Sequence, residues 1–123
     1  LKELREGRDL VYIHIEAPDE CGHQGQLKEK IRTIELIDRD VLGTLLDGLE
    51  DMGHYRIMVL PDHPTPIAIR THCADPVPFF IYDSRKPEII NPKAVYSEAY
   101  AKSTGLVIRE GHTLMDRFLE QWQ

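Results

Sequence analysis

Between Gln26 and Asp51 apolar residues return every three or four positions: Leu27, Ile31, Ile34, Ile37, Val41, Leu45 and Leu49. That spacing draws one apolar stripe along a helix. A helix this long must be given a surface to lie on, so it constrains any fold for the chain. Glu29, Lys30, Arg32, Glu35, Arg39 and Asp40 fall on the other side and read as a solvated face. Gly43 and Gly48 weaken the helix interior slightly, and Gly53 is placed to end it. We expect Ile31, Ile34 and Leu45 to be buried against a sheet.

Two apolar runs flank this helix. "DLVYIHIE" (Asp9–Glu16) is almost continuously apolar and β-rich, as in a buried strand of a parallel sheet, and Pro18 then stops it. "RIMVLPDH" (Arg56–His63) is a second such run, closed by Pro61, Asp62 and His63. Strand, helix, strand describes a βαβ unit with a right-handed crossover. Pro61, Pro64 and Pro66 exclude regular helix in the following loop. "PVPFFIYD" (Pro76–Asp83) is expected as a third strand, "SRKPEIINPK" as a loop and "YSEAYAKST" as a short helix. "GHTLMDRFLEQWQ" is expected as an amphipathic helix with Leu114, Phe118 and Leu119 on its stripe. The class is α/β.

At 123 residues the chain is the size of one small domain, spanning 1–123. Its 41% hydrophobic and 29% charged residues are ordinary for a globular protein. A net charge of −6 argues against nucleic acid or an anionic membrane as partner. No apolar run is long enough to span a bilayer, and "LKELREGRDL" lacks the apolar core of a signal peptide, so a cytoplasmic location is expected. Cys21 and Cys73 are too few for a disulfide scaffold. Each stands beside a candidate metal ligand, but both are read first as small, reduced, buried side chains. The chain opens without Met, inside what reads as the end of a helix, and we expect it to be a piece of something longer.

Both runs of the βαβ unit end in the same vocabulary. The first gives Asp19 and His23; the second gives Asp62 and His63; His72 follows just before Cys73. In open α/β sheets ligands bind outside the carboxyl ends of the strands. Carboxylate oxygen and imidazole nitrogen together suit a divalent ion. The spacing of Asp19 and His23 matches one face of a helical turn, so both can reach one ion. Asp62 and His63, adjacent in a loop, can converge on a second. Taken alone, a D-x-x-G-H string is a common turn and helix cap, and a lone Asp-His pair is a weaker signal still; their joint placement after two consecutive runs is what points to metal. Among the other histidines, His14 is expected as a hydrogen-bonded core residue, His54 as exposed, and His112 as a helix-capping residue.

These stretches combine E-A-P-D-E-x-G-H, P-D-H-x-T-P and T-H-x-x-D-P-V-P-F. In that combination the chain, from about Asp9 to Gln121, closely resembles the carboxyl-terminal part of the archaeal-type cofactor-independent phosphoglycerate mutases, of the alkaline phosphatase superfamily. The resemblance implies a three-layer alkaline phosphatase-like core with a mainly parallel sheet, of which this chain would be the carboxyl-terminal half only. It implies that Asp19, His23 and His72 hold one ion, and Asp62 and His63 part of a second. The nucleophilic Ser and a further Asp ligand of the family have no match here; Ser84, Ser97 and Ser103 lie outside the pattern, and the family's inserted substrate-binding domain is also unmatched. The implied reaction interconverts 3-phosphoglycerate and 2-phosphoglycerate through a phosphoserine, with two divalent ions: Mn²⁺ first, then Mg²⁺, Zn²⁺ or Co²⁺. The implied partner is a small phosphoglycerate, with no nucleic acid and no membrane. The chain alone is expected to be inactive and to self-associate through its uncovered flank. Two alternatives stand beside this: another phosphotransferase of the superfamily, or a non-catalytic metal-binding or interaction domain.

Overall fold

The computed structural model describes residues 1–86 and 91–120, which divide into two compact units. The first comprises Leu1–Gly53 and His63–Asp75; the second comprises His54–Asp62 and Pro76–Gln123.

In the first unit a short helix α1 (Lys2–Arg5) leads into α2 (Ala17–Gln24). Pro18 opens α2, where its missing N–H costs nothing, rather than merely ending a strand. Gly25 closes α2 in the left-handed conformation at φ 71°, its N–H returning to the last turn. The chain then runs helically through α3 (Leu27–Leu36), a π-type stretch (Ile37–Gly43), α4 (Thr44–Leu49) and a 3₁₀ turn (Glu50–Met52). Gly53, at φ 86°, stops it where the sequence places the stop. The long helix is therefore present, although not as one uniform α-helix.

Its surroundings differ from expectation. Asp9–Glu16 forms no strand, and Leu10, Val11, Tyr12, Ile13 and Ile15 are all exposed. A strand needs a partner ladder for its backbone groups, and among the described residues the only strands are two that pair with each other. Without a sheet on that face, Ile31 and Ile34 are about half exposed, at 50% and 52%, and Leu45 is only half-buried. His14 accordingly lies on the surface instead of in a core, 3.5 Å from the Tyr12 hydroxyl and 3.9 Å from the Glu16 carboxylate.

The second unit is built on two short strands, β1 (Arg56–Val59) and β2 (Phe80–Asp83). They pair antiparallel, with Arg56 opposite Asp83 and Val59 opposite Phe80. The expected βαβ unit and mainly parallel sheet are thus not formed among the described residues, and the three-layer core is not seen. Both strands are shorter than their apolar runs. Pro61 limits the first; Pro76 and Pro78, which lack an N–H, delay the second. Helix α5 (Glu98–Ser103) forms where expected, its N-terminus capped by the Ser97 hydroxyl accepting from the Tyr100 N–H at 3.2 Å. Helix α6 (Leu114–Leu119) buries Leu114, half-buries Phe118 and leaves Leu119 exposed. His112 sits inside the 3₁₀ turn Gly111–Thr113 and caps nothing, while His54 is exposed as expected. Part of the expected "SRKPEIINPK" loop (87–90) and the last three positions of the expected final helix (121–123) lie outside the described residues. No helix among the described residues is long and apolar enough to cross a membrane.

Candidate metal centre

Helix α2 does what the Asp19–His23 spacing predicts: it presents both side chains from one face, with His23 Nε2 3.4 Å from Asp19 Oδ2. The loop from His63 to Cys73 supplies the rest. The Cys73 N–H donates to the Pro64 carbonyl at 3.2 Å and the Arg70 N–H to the Pro66 carbonyl at 2.9 Å, folding the loop back on itself. His63 and His72 then meet ring to ring, centroids 3.6 Å apart and tilted by 31°. His72 Nε2 comes 3.1 Å from His23 Nε2 and 3.3 Å from Asp19 Oδ1.

Asp19, His23 and His72 therefore offer three ligand atoms around one point. Three ligands about 2.0–2.2 Å from a tetrahedral ion stand about 3.3–3.6 Å from one another. The two imidazole nitrogens stand 3.1 Å apart, and each approaches a different oxygen of Asp19, His23 Nε2 at 3.4 Å from Oδ2 and His72 Nε2 at 3.3 Å from Oδ1, so each separation lies near that range while the carboxylate faces the pair with both oxygens. His23 also presents the right form. His23 Nδ1 lies 3.0 Å from the Arg70 carbonyl oxygen; a carbonyl only accepts, so Nδ1 carries a proton, and in the neutral ring Nε2 is the lone-pair nitrogen. Lone pairs and a carboxylate brought this close need either a proton or a cation between them. The residues present fit a divalent ion, and the half-open site leaves room for a further ligand: the Asp19, His23 and His72 side chains are 35%, 41% and 50% exposed.

Asp19 is the electrostatic centre. Its carboxyl is held below the usual carboxylate range, first by the Thr65 hydroxyl, which donates to Oδ1 at 2.5 Å; desolvation comes next and opposes this, and the neighbouring imidazoles of His23, His72 and His63 lower it further. A carboxylate so held stays ionised and ready to bind a cation.

Of the five residues singled out in the sequence, four come together in the first unit. His63 is close to the triad, its Nδ1 4.0 Å from Asp19 Oδ1, without being a member of it. Asp62, its chain neighbour, belongs to the second unit and is exposed. Cys21 and Cys73 are free thiols and half-buried; Cys73 Sγ donates to Asp75 Oδ2 at 3.2 Å. Three supporting residues were not assigned a role from the sequence. Thr65 holds Asp19. Arg70, at φ 54°, offers the carbonyl that orients His23. Lys30, read as part of a solvated face, instead reaches the Thr65 carbonyl with Nζ at 2.6 Å. Thr65 stands inside the P-D-H-x-T-P string, which was the available signal.

The chain belongs to the metalloenzyme superfamily, whose profile matches residues 1–120. Within it, the chain is 44% identical to a probable 2,3-bisphosphoglycerate-independent phosphoglycerate mutase of Geobacter sulfurreducens, over 97% of this chain and 30% of that protein. It is 50% identical to 2,3-bisphosphoglycerate-independent phosphoglycerate mutase 2 of Methanothermobacter thermautotrophicus, over 91% of this chain and 27% of that protein. A mutase of the same name from Methanothrix thermoacetophila is 48% identical over 87% of this chain. The chain thus spans under a third of the length of these relatives. No solved structure matches.

Proposed function

We propose that the chain is part of a metal-dependent, cofactor-independent phosphoglycerate mutase interconverting 3-phosphoglycerate and 2-phosphoglycerate, and that its contribution is metal ligands. Asp19, His23 and His72 hold one divalent ion, Mn²⁺ first among the candidates; Asp62 and His63 contribute to a second. The carrying observation is the Asp19–His23–His72 triangle, with His23 Nε2 left as the lone-pair nitrogen by the Arg70 carbonyl. When bound, two such ions lower the pKa of an attacking hydroxyl and neutralise charge on a transferring phosphoryl group. The chain's own residues do the holding. Asp19 stays anionic, and the loop carrying His72 returns that imidazole to α2. A glycolytic role of this kind belongs in the cytoplasm.

The nucleophile lies outside this chain on this reading. Each serine here already serves the backbone in the second unit: Ser84 accepts from the Tyr55 N–H, Ser97 caps α5, and Ser103 donates to the Tyr100 carbonyl. The same observation keeps a non-catalytic metal-binding domain as the second reading. Sequencing the parent reading frame separates the two, because the mutase reading requires an upstream Asp and Ser in strand-end loops.

Calorimetric titration of the chain with Mn²⁺ and Zn²⁺ tests the ligand set. One ion is expected to bind well, with His23→Ala abolishing that binding; the second ligand pair is incomplete here and should bind far more weakly. Unchanged binding in His23→Ala would overturn the assignment. The chain alone is expected to show no mutase turnover with 3-phosphoglycerate, with or without Mn²⁺, and measurable turnover would show the nucleophile to be among its own residues.

A further inference from the structure

We infer that the Thr65 hydroxyl is a positioning group that sets two metal ligands at once: the carboxylate orientation of Asp19 and the tautomer of His63. The inference rests on the metal reading above and adds to it a residue that is not itself a ligand.

The first observation is burial. Among the described residues Thr65 is the buried polar side chain, at 4% exposure, in a region where its neighbours His63 and Pro66 are only half-buried. A hydroxyl taken out of water must have its hydrogen bonds inside the protein. The second is how firmly the residue is held. Pro64 and Pro66 restrict the backbone on either side. Lys30 Nζ donates to its carbonyl at 2.6 Å. Gly22 of α2 lies directly against it, so closely that a Cβ there would fall 2.6 Å from the Thr65 carbonyl oxygen and 2.9 Å from its methyl.

The third observation is the proton count. A hydroxyl has one proton to give and lone pairs to receive with. Thr65 Oγ1 lies 2.5 Å from Asp19 Oδ1, and the ionised carboxylate only accepts, so the proton goes there. Oγ1 can then only accept from His63 Nδ1, 3.3 Å away. That contact requires Nδ1 to carry the hydrogen, which in the neutral, metal-binding ring makes Nε2 the lone-pair nitrogen and the one His63 offers to an ion. The proton of one buried hydroxyl thereby orders a ligand from each of the two proposed sets.

The test is Mn²⁺ titration of the 123-residue chain followed by electron paramagnetic resonance, with a ¹⁵N histidine spectrum of the metal-free chain as a second readout. Thr65→Val keeps the branched shape and removes the hydroxyl. It is expected to weaken Mn²⁺ binding roughly 10- to 100-fold, the usual loss when an orienting partner of a ligand is removed. Thr65→Ser, which keeps the hydroxyl, is expected to restore most of the affinity. In the metal-free wild type His63 is expected as the Nδ1–H tautomer, lost in Thr65→Val. Wild-type Mn²⁺ affinity in Thr65→Val, an equal loss in Thr65→Ser, or an Nε2–H tautomer of His63 in the wild type would each overturn the inference. Should Thr65→Val fail to fold, Thr65→Ser against Thr65→Ala poses the same question, since that pair differs only in the hydroxyl. His23→Ala run alongside separates the two levels of argument. If His23→Ala abolishes binding and loss of the Thr65 hydroxyl does not, only the role of Thr65 falls; if wild type binds no Mn²⁺, the metal reading falls and this inference with it.

Discussion

Gly22 shows how much of the candidate centre depends on the absence of one atom. It sits between Asp19 and His23 on α2, on the side where the His63–Pro66 loop approaches. A methyl group there would stand 2.6 Å from the Thr65 carbonyl oxygen and 3.0 Å from Lys30 Nζ, and the nearer of these is backbone. Gly22→Ala should therefore push the loop off the helix in spite of Ala's better helix propensity. We expect a destabilisation of about 1–3 kcal/mol by urea unfolding, as for other overpacked sites, together with weaker Mn²⁺ binding. A variant as stable as wild type would mean that the loop yields freely. At this scale the sequence pointed to the candidate ligands and was silent about their supports. Asp19 and His23 stand out by residue type and by their i, i+4 spacing, and His72 joins them through the T-H-x-x-D-P motif of the family resemblance. Thr65 and Lys30 acquire their roles from burial and from a tertiary approach that no local pattern encodes.

Among the elements, the hairpin of the second unit is held by a charged cluster at its open end. Asp83 lies opposite Arg56, whose Nε donates to Oδ2 at 2.8 Å, and the Arg85 fork donates to both of its oxygens at 2.9 and 2.6 Å. Arg56 also donates to the carbonyls of Phe118 and Glu120, tying α6 to the same strand. The Arg85 hydrogen bonds above all, with Arg56, hold the Asp83 carboxyl well below the usual carboxylate range. A depressed carboxyl pKa contributes stability that is present above its unfolded value, near 3.9, and lost as pH falls below it. Acid unfolding of wild type should therefore lose this contribution progressively below about pH 4. Asp83→Asn should cost about 1.5–3 kcal/mol at neutral pH, the range for hydrogen bonds to a charged group, and flatten that acid limb; an unaltered acid limb would remove Asp83 from the account. The helices were legible because their signals are local: the 3.6-residue period from Leu27 onward, Gly53 as a stop, Ser97 as a cap. The sheet was not, because a strand is defined by its partner. Asp9–Glu16 has every β-forming residue it needs and, among the described residues, nothing to pair with.

For the molecule as a whole, that missing partner becomes exposed apolar surface. Leu49 in one unit and Leu114 in the other are buried, both at 6% exposure. Against this small core stand Leu10, Val11, Tyr12, Ile13 and Ile15 on the unpaired segment, and Leu27, Ile31 and Ile34 on α3, all exposed. Apolar surface of this extent is unusual for a chain at rest in water, and an unpaired β-prone segment adds backbone groups that seek a ladder. The net charge of −6 opposes association only through long-range repulsion, which salt screens. We therefore expect the isolated chain to self-associate in analytical ultracentrifugation at micromolar concentration, more strongly as salt rises. Replacing Ile31 and Ile34 by Glu should shift it toward monomer with little effect on Mn²⁺ binding, since neither residue belongs to the candidate metal centre. A wild-type chain that sediments as a strict monomer at high salt would refute the expectation. An Ile31→Glu, Ile34→Glu variant that associates as strongly as wild type would move the sticky surface from α3 to the Leu10–Ile15 segment, where Ile13→Lys is the next variant to measure.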